Sequence, residues 1–98
     1  SLCLFTARNM TFKIETIRSR NRTILKISGR LQRENLAELN KQMGTDPART
    51  VLDVSEVTLV DLEVVRFLIG CQDQGVECAN PSPYIREWMN RERKLESQ

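Results

Sequence analysis

Asp53, Asp61 and Glu63 are the acids most closely grouped with apolar sequence in this chain, and by type they could hold a cation or move a proton. Their spacing follows no cation-loop pattern, so a metal site here has no motif behind it. Asp61 stands directly before an apolar run with helical period, the position of an N-cap, where a carboxylate accepts from first-turn amides. Asp53, at a strand end, reads as an acceptor for loop amides. The chain has no histidine, which removes the commonest general base and metal ligand. A glycine-rich phosphate loop and a Ser-His-Asp set are also missing, and Gly70 and Gly75 are too isolated to cradle a nucleotide. The expectation is a protein that is not an enzyme, with no catalytic residues, no metal and no cofactor.

The remaining reactive side chains are Cys3, Cys71 and Cys78. An odd number leaves one unpaired in any disulfide scheme, and none sits in a C-x-x-C pair, so reduced cytosolic thiols are expected. Cys71 and Cys78 read as small buried apolar residues. Arg18, Arg20 and Arg22 make a basic turn that could touch phosphate or an acidic partner; without interleaved aromatics it reads as a solvated tip. A net charge of +2 is too small to imply a nucleic-acid partner. Trp88, spaced with Ile85 and Met89, reads as core packing.

These residues need a scaffold, and 98 residues suffice for one domain burying roughly 60 to 65% of its unfolded surface. The run Leu2–Phe5 is too short for a signal-peptide core or a membrane span. A cytoplasmic protein without direct membrane insertion is expected. Residues 1–10 read as an N-terminal extension without functional weight, of which Ser1 and Leu2 are open to reading as a cloning remnant. The domain proper reads as 11–93 and the charged tail as 94–98, with fraying expected from Arg91.

Alternation of Phe12 and Ile14 with Lys13 and Glu15 predicts a strand over 11–17, and Leu25 and Ile27 predict its hairpin partner over 23–28, closed by Gly29. Leu36, Ala37, Leu39 and Met43 predict an amphipathic helix over 33–43, capped at Gly44 and followed by a break at Asp46-Pro47. Val51, Leu52 and Val54 predict a central strand over 50–54, with an apolar loop leading to Asp61. Val64, Val65, Leu68 and Ile69 predict a second helix ending near Gly75. A short strand over 76–79 and a last helix opened by Ser82-Pro83 complete the order. The expected class is α/β: two layers, about four strands in a mixed sheet, and about three helices mainly on one face.

The segment Val51-Leu52-Asp53-Val54-Ser55-Glu56-Val57-Thr58-Leu59-Val60-Asp61 resembles the STAS family (sulfate transporter and anti-sigma factor antagonist). That family carries a buried strand ending in Asp, a short apolar loop and a second Asp before a helix. Ile27-Ser28-Gly29-Arg30-Leu31 is similar to its strand ending in Gly-x-Leu, and the region around Asn80-Pro81-Ser82 supports the match. The resemblance spans about Thr11 to Arg91. In the family's bacterial antagonists the second Asp precedes a Ser or Thr that a partner kinase phosphorylates. Here the matching residue is Leu62, followed by Glu63 and Val64, so this phosphosite cannot accept phosphate. The second helix is also about one turn shorter than the family's.

The resemblance implies a non-enzymatic protein–protein interaction module in bacterial signalling and transcription regulation. The implied partner is an anti-sigma factor or kinase-fold protein, docking on Asp61, Leu62, Glu63, Arg66 and Arg30. Leu62 would be an apolar anchor, and Glu63 a fixed negative charge suited to the helix dipole. Two alternatives stand beside this one: a STAS subunit bracing the ATPase of a membrane transport complex, and a small-ligand or nucleotide-binding domain.

Overall fold

A computed structural model describes the backbone of residues 3–8 and 12–96 and the side chains of residues 12–95. Five strands form one sheet in chain order: β1 (Cys3–Arg8), β2 (Phe12–Arg18), β3 (Thr23–Leu31), β4 (Thr50–Val60) and β5 (Glu77–Ala79). β1 with β2 and β2 with β3 pair antiparallel, whereas β3 with β4 and β4 with β5 pair parallel. Three helices supply the second layer: α1 (Leu36–Met43), α2 (Leu62–Asp73) and α3 (Pro83–Glu96). The expected α/β class with a mixed sheet is the observed one. The difference is β1, which the reading of 1–10 as an extension did not include: it pairs with β2 from Cys3 opposite Arg18 to Arg8 opposite Lys13.

Side-chain alternation explains why one face is covered. Phe12 and Ile14 of β2, Leu25 and Ile27 of β3, and Leu52 and Val54 of β4 belong to one buried cluster with Leu39, Val64, Leu68 and Ile85 from the helices. The intervening residues, such as Lys13, Glu15, Lys26 and Asp53, are not part of that cluster, as period two requires. Lys13 and Glu15 form an ion pair at 2.7 Å on that open face, and the Lys13 ammonium holds the Glu15 carboxyl below its ordinary value.

β4 is much longer than the expected strand over 50–54. The apolar stretch read as a loop continues the ladder to Val60 opposite Leu31. Register shifts lie between Lys26 and Ser28 and between Gly29 and Arg30, each placing an extra residue in β4. Each shift reverses which side chains face inward. Inward positions therefore change from every second residue, Leu52 and Val54, to every third, Val57 and Val60. Gly29 takes φ 87° beside the second shift, a left-handed conformation that favours glycine.

The last helix also runs past its expected end. Against the fraying expected from Arg91, α3 continues to Glu96, and tertiary contacts tie its last turns to α2: Arg93 donates to Asp73 at 3.1 Å and to Gln72 at 2.7 Å. Ser82 Oγ accepts from the Ile85 amide at 3.4 Å, and Pro83 opens the helix as expected. Trp88 is half-buried against the core, and its ring lies 5.8 Å from that of the exposed Tyr84. Among the described residues, no helix is long and apolar enough to cross a membrane.

Candidate functional site at the entrance of the second helix

Asp61 has extended backbone at φ −113°, ψ 177°, and its Oδ1 accepts from the Val64 amide at 3.0 Å. This is the N-cap expected from sequence. Its other oxygen has a second use: Oδ2 accepts from the Arg33 amide at 2.9 Å. One carboxylate therefore ties the first turn of α2 to the chain leaving β3, 28 residues earlier. Both contacts are charge-assisted, which makes them stronger than neutral bonds of equal length.

With Asp61 fixed, the helical period decides what faces outward. Val64, Val65, Leu68 and Ile69 are buried, whereas Leu62, Glu63 and Arg66 are exposed. Leu62 keeps 37% of its surface in solvent and Leu59, at the end of β4, keeps 40%. Arg30 is exposed and stands opposite Leu59 in the β3–β4 ladder. Leu62 and Arg66 lie one turn apart on one helix face. Arg66 reaches Glu92 of α3 at 3.6 Å, which anchors its guanidinium toward the neighbouring helix. Glu63 lies in the first turn of α2, where a negative charge suits the exposed amides.

Asp53 accepts from the Ser55 amide at 3.1 Å; the acceptor role expected of it is present, but both residues lie within β4 rather than at a strand end beside a loop. Its partner in the ladder is Lys26. Cys71 is buried and Cys78 half-buried, both as free thiols. Burial pushes each up to about 11 from the ordinary 9.0, with Cys71 adding to the rise at Cys78. Such thiols stay protonated at neutral pH and are poor nucleophiles. The Cys3 side chain lies outside the described residues.

Two residues of this region were not singled out from sequence. Arg33 enters through its backbone amide, which no side-chain pattern reveals. Leu59 did carry a signal: in the adjacent pair Leu59-Val60, a strand can turn only one side chain inward. Compared with known proteins, the chain matches no family model and no curated sequence.

Proposed function

We propose that this chain is a STAS-type interaction module of bacterial signalling that docks through the entrance of α2 onto an anti-sigma factor or kinase-fold protein. The observation that carries the reading is the exposure of Leu59 and Leu62, two large apolar side chains flanking Asp61, with Arg30 opposite Leu59 and Glu63 beside Leu62. Partially exposed apolar anchors rimmed by charge are the surface that protein partners bury. A phosphorylatable module would place a hydroxyl at Leu62 and expel its partner by adding nearly two negative charges. Leucine there keeps the docking surface in one permanent state, with Asp61 spent on holding the helix entrance in shape.

The test has two arms. Affinity capture from the native cell, read by mass spectrometry, should return a soluble kinase-fold protein; an ATPase of a membrane transport complex would favour the alternative role of bracing such a complex. The captured partner, purified, should bind Leu62→Ala more weakly by about 1 to 3 kcal/mol, with circular dichroism and melting temperature little changed. Treatment with a STAS-directed kinase and ATP should leave the intact mass unaltered. Undiminished binding by Leu62→Ala, or a phosphate on the nearby hydroxyls Ser55 or Thr58, would overturn the reading.

A further inference from the structure

The opposite end of the sheet gathers positive charge into a concavity. Where β3 and β4 begin, at the paired residues Thr23 and Thr50, a cleft of about 310 Å³ is lined by Arg18, Arg20, Arg22 and Arg49, with Asp46 as its one carboxylate. Four cations against one anion give a local charge of +3, where the whole chain carries only +2. β3 runs from Thr23 to Leu31, about 26 Å at the usual rise, so this cleft is separate from the docking surface at the entrance of α2.

The cleft walls are tied together by hydrogen bonds. Ser19 and Arg22 close the hairpin turn: the Ser19 amide donates to the Arg22 carbonyl at 3.0 Å, and the Ser19 hydroxyl donates to the same carbonyl at 3.2 Å. Arg18 donates to the Gln42 carbonyl at 3.0 Å. Thr50 donates to the Asp46 carbonyl at 2.8 Å and to Met43 at 3.4 Å. Arg18 and Thr50 thereby satisfy carbonyls at the end of α1, which would otherwise present the negative pole of that helix to the cleft.

The four guanidinium groups are used unequally. Arg49 meets Asp46 at 3.5 Å and Arg18 is committed to the helix end. Among the described residues, no hydrogen bond or ion pair engages the guanidinium of Arg20 or Arg22. Like charges held around one concavity repel, and a multivalent anion relieves that repulsion while accepting the free N–H donors in pairs.

We propose that this cleft binds a compact anion of the oligophosphate class. Arg20 and Arg22 supply the forked donors, and Arg18 and Arg49 supply the surrounding field. The volume lies at the lower end of the roughly 300 to 1,000 Å³ of small-ligand sites, which suits linked phosphoryl groups better than an extended polymer.

The experiment titrates inorganic triphosphate into the whole chain at low ionic strength, read by calorimetry. Saturable one-site binding is expected, weakened at least about tenfold in Arg20→Ala/Arg22→Ala and left within about twofold in Arg91→Ala/Lys94→Ala. The second pair removes the same charge from exposed positions on α3, and circular dichroism verifies that both variants fold. Equal weakening by the two pairs, or no saturable binding, overturns the proposal by reducing it to general charge attraction. Parallel titrations with adenosine triphosphate and with phosphoinositide-containing vesicles distinguish a free oligophosphate from a headgroup, and Arg20→Ala/Arg22→Ala should weaken whichever binds. Single-stranded RNA bound more tightly than triphosphate, and lost in that variant, would also overturn the small-anion site.

Discussion

Removing the Asp61 carboxylate should open two joints at once. Oδ1 caps α2 through Val64 and Oδ2 holds the Arg33 amide. An N-cap is worth about 1 kcal/mol. The second bond has a charged acceptor but lies at an exposed amide, so it contributes about 1 kcal/mol more rather than the larger figure of a buried one. Asp61→Ala is therefore expected to cost about 2 kcal/mol, lowering the melting temperature by roughly 8 to 16 °C in a domain of this size. Asp61→Ser restores a good cap with an oxygen that cannot also reach Arg33, and should cost about half as much. Urea unfolding followed by far-ultraviolet circular dichroism measures both, and amide exchange at Arg33 should quicken in both variants while that at Val64 quickens only in Asp61→Ala. If Asp61→Ser is as damaging as Asp61→Ala, or if neither differs from the parent protein, the two-joint account of this carboxylate is wrong.

Thr16 is fully buried and its hydroxyl has no hydrogen-bond partner among the described residues; Thr16→Val keeps the shape, removes the orphaned group and should stabilise the protein by about 1 kcal/mol in urea unfolding, whereas destabilisation would reveal a partner for the hydroxyl. The thiols predict an alkaline weakness. Cys71 and Cys78 are raised to about 11 from 9.0, so above pH 9 the unfolded chain releases protons that the folded chain keeps. The stability they support is full below about pH 9 and is lost as pH rises toward 11, at up to about 1.4 kcal/mol per pH unit for each thiol. Urea midpoints for the parent and for Cys71→Ala/Cys78→Ala should converge from about pH 8 to about pH 10, across the onset of thiol ionisation in the unfolded chain; parallel slopes would refute the assignment.

Much of the fold was legible from local pattern. Period-two runs located β2 and β3, period 3.6 located the buried face of α2, and Asp61 and Ser82 announced their helices by chemistry that needs only the next few residues. The features that sequence reading misplaced all depend on pairing with another element, which for β4 and α3 lies distant in the chain. β4 continues past Val54 because its amides find the ladder of β3, and the change of inward spacing to Val57 and Val60 comes from register shifts against that neighbour. α3 persists beyond Arg91 because Arg93 meets Asp73 and Gln72 of α2. β1 exists as a strand through its pairing with β2.

The same division holds for the two surfaces. Sequence alone determined that Leu62 carries no hydroxyl, that Asp61 begins a helix and that Arg18, Arg20 and Arg22 are crowded at a turn, since these follow from residue identity and adjacency. Tertiary structure decided that Leu59 and Leu62 flank one carboxylate in solvent, and that the second oxygen of Asp61 reaches Arg33. It also brought Arg49 to the hairpin arginines, through the parallel pairing of β3 with β4. Parallel strands align segments separated by a whole crossover, and no local period encodes which distant side chains that alignment will place together.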